Sequence, residues 1–338
     1  MRTGLGRGAS FTQLDWVREQ LVTALGIDPH PGTLNLELGA PLPGGWPEAA
    51  ASGCVLLPPD ETYCRATARP VRVAGRVPAA IVRPEVDGYS DLQVELVAAL
   101  PLRRELSLAE GDLVSIEPAL PLAARAVIFD VDGTLVDSIE AYRTVAERAA
   151  APLGLEITVA VVRQALNTNQ PFWDIVLPPD RPGRAEMVER LEAEAARQWP
   201  SVLQTHGRAF AGLRGTLESL RDRGARLGIV TGSPGASLRR LEDEGLLGLF
   251  DAVFTGRDVA QVKPHPEGLL RCAAALGIEP GEAVYVGDTP LDVQASLAAG
   301  MGAVAVLTGA GDCALLSAAG PHRIVSSHGR LLDVLARP

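Results

Sequence analysis

Val127 to Ser138 reads VIFDVDGTLVDS. An apolar run ends abruptly in two aspartates, Asp130 and Asp132, with Gly133 and Thr134 immediately behind them. A short apolar run bounded by turn residues is the pattern of a strand buried in a parallel sheet. The two acids then stand where that strand meets solvent, at its carboxyl end, and ligands of open α/β sheets bind along that edge. As a stability device the pair is poor, because two carboxylates 4 Å apart repel by about 4 kcal/mol at an effective dielectric of 20. As a nucleophile and a proton donor around a hard divalent cation it is well suited, and oxygen ligands with retained waters favour Mg²⁺.

Three further stretches extend the pattern downstream. Leu227 to Ser233 reads LGIVTGS, a second apolar strand ending in the hydroxyl of Thr231. Val262 to Gly268 reads VKPHPEG and places Lys263 just before a helical segment. Ala283 to Asp292 reads AVYVGDTPLD, a third strand ending in Asp288, with Asp292 four residues on. Either acidic pair alone would pass for a strand-end turn or a helix cap. All four stretches in order point to chemistry. Lys263 is the only lysine among the 31 basic residues. A compact ammonium is a point charge, which the planar fork of arginine does not replace.

The set resembles the haloacid-dehalogenase superfamily of phosphatases, most closely the phosphoglycolate phosphatase type. The resemblance implies that Asp130 attacks phosphorus to form an aspartyl-phosphate and that Asp132 protonates the leaving alcohol and then deprotonates water. It implies that Thr231 and nearby amides hold the phosphate while Lys263 neutralises charge. Mg²⁺ is implied between Asp130, the Val131 carbonyl and Asp288, with Asp292 supporting from behind. Nearly a hundred residues of mostly helical pattern separate the first and second strands, like the helical cap of one subgroup, expected over about 139–211. Phe172 and Trp173, in the stretch NTNQPFW, either stack on a planar substrate ring or fill the cap's small core. His206 and His265 read as surface or capping residues.

The 338 residues suit two domains. A hydrophobic content of 47% supports real cores, and a net charge of −10 argues against nucleic acid or an anionic membrane as the main partner. The four cysteines are scattered without a CxxC pair, and no apolar run approaches the length of a membrane span. A soluble, cytoplasmic enzyme of small molecules is expected, its oligomeric state open. Ile116 to Arg125 reads IEPALPLAAR and marks the boundary, so the expected division is 1–117, a linker at 118–124, and 125–338. The C-terminal half alternates strands and helices, the pattern of a doubly wound α/β core. Its strands are predicted at 126–129, 227–230, 251–254, 283–286 and 303–307.

The N-terminal half has short alternating strands, such as Arg65 to Val73, and one helix over about Thr12 to Gly26, the pattern of a small β-barrel. It carries GLGRG at Gly4 to Gly8, PHPGTLNL at Pro29 to Leu36, AAIVRP at Ala79 to Pro84, LQVELVAALPLRREL at Leu92 to Leu106 and EGDLVSI at Glu110 to Ile116. In this order they resemble the CTP-dependent riboflavin kinase family, a cradle-loop barrel. The resemblance implies that Gly4, Leu5, Gly6, Arg7 and Gly8 cradle the phosphates of CTP. Thr33 and Asn35 would ligate a second Mg²⁺, and Glu95 would contact the ribityl chain and help deprotonate the accepting hydroxyl. Leu100, Pro101, Leu102 and Arg103 would lie against the cytidine. The domain has no P-loop and no lysine, so glycine amides, arginine and a metal are left to hold phosphates. Only three residues precede Gly4, where the family has a full strand. The chain therefore reads as a bifunctional enzyme of flavin metabolism. Its rivals are a phosphatase with a sensor barrel and a phosphomutase.

Overall fold

The structure is a computed structural model that describes residues 7–39, 53–168, 170–232 and 235–337. The chain divides into two compact units, Met1–Ala123 with Asp312–Ala336, and Ala124–Gly311 with the last two residues. The segment Asp312–Ala336 thus groups with the N-terminal half, whereas the linker's position placed it with the C-terminal one.

In the first unit the strands are β1 (Leu34–Glu37), β2 (Cys54–Leu56), β3 (Ala66–Val73), β4 (Val77–Pro84), β5 (Gln93–Val97), β6 (Ile116–Pro118) and β7 (Leu122–Ala123). The sheet runs β1-β5-β4-β3-β2, antiparallel throughout, with β6 beside the far end of β3. The expected barrel is therefore only half drawn, since the described strands form an open path whose two ends do not pair. Alternation along the strands splits the apolar side chains between two faces. Leu34, Leu36, Val94 and Leu96 pack on one face. Val82 and Val97 pack on the other with Val17 and Leu21 of the helix Asp15–Leu25. That helix ends at Gly26, left-handed at φ 65°, where a Cβ would stand 2.4 Å from the Ile324 carbonyl oxygen. Only glycine fits both the turn and the approach. Leu335–Ala336 pairs with β7, and Arg72 donates to the Pro321 carbonyl at 2.7 Å.

The second unit holds β8 (Ala126–Phe129), β9 (Val136–Asp137), β10 (Arg208–Ala209), β11 (Arg226–Thr231), β12 (Ala252–Thr255), β13 (Ala283–Gly287) and β14 (Gly302–Val306). The strands β12-β11-β8-β13-β14 lie parallel in that order. Each falls within two residues of its predicted span, because a strand buried on both faces is a continuous apolar run in sequence. All of β8 and β13 is buried. β8 stands between β11 and β13, so three motif-bearing strand ends are neighbours along one edge. Between the antiparallel pair β9 and β10 runs a helical insertion, with helices Ile139–Ala150, Val159–Asn167, Phe172–Val176 and Arg184–His206. Its own core includes Ala149, Val162, Trp173 and Leu191.

Candidate active site

Asp130 follows the last residue of β8, Thr231 closes β11, and Asp288 follows β13. Lys263 comes from the loop after β12, and its ammonium donates to Asp130 Oδ1 at 2.6 Å, to Asp292 Oδ1 at 2.6 Å and to the Tyr285 hydroxyl at 3.0 Å. Burial opposes its charge, but Asp130 and Asp292 together hold the ammonium well above the usual lysine range. Burial raises Asp130 well above the ordinary carboxylate range; Lys263 opposes that rise, and Asp292 and Asp288 add to it. Asp288 is pushed up to about 7, by burial and then by the charge of Asp292. Such a cluster calls for a cation.

Asp130, Asp288 and Asp292 offer oxygen atoms within 4.8 Å of one another. The donor set fits Mg²⁺, and the three acids are not equivalent. Both oxygens of Asp292 are engaged, one by Lys263 and the other by Thr289, whose amide and hydroxyl donate to it at 3.0 and 2.6 Å. Asp292 orients the lysine and caps its own helix, while Asp130 and Asp288 stand at the ends of the neighbouring strands β8 and β13, where they would face a metal. Asp288 is held by the Thr134 hydroxyl at 2.9 Å and the Ala310 amide at 2.8 Å. It sits in a cradle of two glycines. A Cβ on Gly133, at φ 79°, would stand 2.4 Å from Asp288 Oδ2, and one on Gly309 would stand 2.0 Å from it.

The Val131 carbonyl accepts three backbone amides, from Thr134, Leu135 and Val136 at 3.2, 2.7 and 2.9 Å. These bonds close the turn that sends the chain into β9. Asp132 Oδ1 accepts from the hydroxyl of Ser237 at 2.8 Å, a partner with no motif to announce it. Tyr285 was equally silent. It reads as one more apolar strand residue, yet its hydroxyl donates to the Val230 carbonyl at 3.0 Å. His265 accepts the Glu267 amide at 3.2 Å, a capping role.

Above these groups lies a cavity of about 810 Å³ that reaches from Asp130, Asp132 and Lys263 into the helical insertion. Tyr142, Phe172, Trp173 and Trp199 line it, in a chain only 4% aromatic. Tyr142 and Trp199 lie 4.3 Å apart at 40°, and Phe172 meets Trp173 edge-on at 4.9 Å. Trp173 is also part of the insertion's core, so it packs and lines at once.

In the first unit, the β1–β5 register sets Asn35 directly across from Glu95. The two therefore share a face, with Cβ atoms about 5 Å apart. The Tyr89 hydroxyl donates to Glu95 at 3.1 Å, and Arg83 lies over the Tyr89 ring. Thr33 precedes β1. Leu102 does not present its side chain to a ligand: it is 5% exposed within the sheet's core, with Leu100 packed against it, while Pro101 is half-buried and Arg103 exposed. Gly4, Leu5 and Gly6 lie outside the described residues, and the side chains of Arg7 and Gly8 are likewise outside them; Arg7–Thr12 is helical. A cleft of about 370 Å³ beside the Pro29–Pro31 turn is lined by Arg18, Asp28, His30 and Ala99, joined by Asp312 and Cys313 from the C-terminal segment.

Residues 127–306 match the family model described as haloacid dehalogenase-like hydrolase. The chain belongs to that family. Residues 1–117 of this hydrolase match the CTP-dependent riboflavin kinase model, described as domain of unknown function DUF120. A phosphoglycolate phosphatase of Xylella fastidiosa is 34% identical over 197 residues, 57% of this chain and 84% of that relative. One of Salmonella paratyphi A is 30% identical over 238 residues, 63% of this chain and 93% of the relative. A solved haloacid dehalogenase-like hydrolase from Bacteroides fragilis aligns at 27% identity and a TM-score of 0.56, over 62% of this chain and 99% of that one. The hydrolase is thus a phosphatase of this superfamily that carries a domain of a kinase family.

Proposed function

We propose that the chain is a bifunctional enzyme of flavin metabolism. Residues 1–117 phosphorylate riboflavin to FMN with CTP, and the second unit hydrolyses a phosphate monoester carrying a ribityl chain and a ring. A phosphorylated riboflavin precursor is preferred to FMN, since hydrolysis of FMN would undo the kinase. The observation that carries the reading is the cavity over Asp130. At about 810 Å³ with four aromatic side chains it has the size of pockets that enclose drug-sized ligands, of about 300–1,000 Å³. A two-carbon phosphate ester would leave most of it empty.

In the phosphatase, Asp130 attacks phosphorus through a carboxylate oxygen as the bond to the leaving oxygen breaks, and Asp132 gives that oxygen its proton. Water then attacks the aspartyl-phosphate, losing a proton to Asp132, and Asp130 is released. Lys263 and the Thr231 hydroxyl neutralise and orient the phosphate oxygens. Asp130 and Asp288 would hold Mg²⁺, which would supply further charge neutralisation. In the kinase, the facing of Asn35 and Glu95 supports a metal-holding residue, with Thr33, beside a base for the accepting hydroxyl.

A second reading makes the second unit a phosphatase of phosphoglycolate type and the first unit a non-catalytic domain that binds flavin or nucleotide. The names of the two relatives above favour its phosphatase half, as both are phosphoglycolate phosphatases. Phosphate release from a phosphorylated ribityl precursor, FMN and phosphoglycolate separates the readings for the second unit. The first reading expects kcat/KM for a ring-bearing ester to exceed that for phosphoglycolate by at least about tenfold, and the reverse order would refute it.

A further inference from the structure

Ser237 is fully buried, and its hydroxyl lies 2.8 Å from Asp132 Oδ1. A buried hydroxyl is expected to have a partner, and this one has found the carboxylate that must carry a proton to the leaving group. With Oδ1 accepting from Ser237, the proton in transit belongs on Oδ2, so the hydroxyl sets which oxygen faces the substrate. The element that bears Ser237 adds a second observation. Its helix, Ala236–Asp243, packs against the long insertion helix Arg184–His206 and against β9 and β10, the two strands through which the insertion joins the core. The residue after that helix, Glu244, accepts the Ala209 amide of β10 at 3.2 Å and pairs with Arg240 at 3.0 Å.

We propose that Ser237 is a positioning residue for the acid–base Asp132, and that its helix ties the placement of that carboxylate to the root of the cap. The idea rests on the assignment of Asp132 above. The proton moves from Asp132 to the leaving oxygen as the Asp130–phosphorus bond forms, so the step is needed for an alkoxide and hardly at all for a nitrophenolate.

The test uses the full chain loaded with Mg²⁺ and compares kcat/KM, which reports the step that expels the alcohol, on 4-nitrophenyl phosphate and on the alkyl phosphate that the wild-type protein turns over fastest. For Ser237→Ala the expectation is a loss of about 10- to 100-fold on the alkyl ester, the scale of a misplaced catalytic group, and less than about threefold on the nitrophenyl ester. Ser237→Thr keeps the hydroxyl and should recover most of the alkyl-ester rate. Equal losses on both esters, or no loss on either, would overturn the proposal. Asp132→Asn is the companion variant. It should show the same ester preference more strongly, and if it loses both activities equally the acid–base assignment itself falls, whatever Ser237→Ala does.

Discussion

At the scale of single residues, the site is organised around one ammonium. Lys263 joins two buried carboxylates at 2.6 Å each, so removing it strands both charges. Breaking such a buried arrangement costs about 3–5 kcal/mol. Lys263→Met is expected to abolish phosphate release and to lower the denaturant midpoint, and added Mg²⁺ should restore part of the stability but none of the activity. Unchanged stability in metal-free buffer would contradict the pairing. Gly309 carries a second prediction. A methyl there would press on the Asp288 carboxylate and its Cβ, so the whole side chain must turn. Gly309→Ala should weaken Mg²⁺ by about 10- to 100-fold in a calorimetric titration with little loss of fold. The roles of Asp130, Lys263 and Asp288 were legible because each ends a strand or opens a helix in a motif. Ser237 and Tyr285 were not, because the partner of Ser237 lies 105 residues away in the chain and Tyr285 reads as one more apolar residue of a buried strand.

At the scale of elements, the helix Pro290–Ala298 does double service. Thr289 and Asp292 form a reciprocal capping box at its start, and the same Asp292 grips Lys263. Thr289→Ala should cost about 1 kcal/mol as a lost cap. It should also lower kcat by more than that loss of stability explains, since Asp292 is then free to rotate away from Lys263. A variant with wild-type kcat at a lowered midpoint would separate capping from chemistry. The parallel strands were readable as continuous apolar runs. The N-terminal sheet was harder, since alternation predicts strands and faces but says nothing of closure. Leu102 illustrates the limit: LPLR gives no local sign that the second leucine points into the core.

For the whole molecule, the segment Asp312–Ala336 belongs to the first unit although its sequence follows the phosphatase motifs. Within it, burial and then the charges of Arg72 and Arg323 push His322 down to about 4 from the usual 6.5. The unfolded chain therefore binds a proton that the folded chain refuses between these values, and stability falls as pH drops from about 6.5 towards about 4. Above about 6.5 both states are neutral at this group and it contributes no slope. His322→Asn should flatten that part of the midpoint-against-pH curve, and identical curves for the two proteins would contradict the burial of a neutral imidazole.

Two activities on one chain should also be separable by mutation. Asp130→Asn is expected to end phosphate release and spare FMN synthesis, and Asn35→Ala to do the reverse. The most direct test incubates the Asp130→Asn protein with riboflavin, Mg²⁺ and either CTP or ATP, so that any FMN formed survives. FMN appearing with CTP and not with ATP is the predicted result. No FMN with either nucleotide, from protein shown to be folded, would contradict the bifunctional account and leave a phosphatase joined to a binding domain.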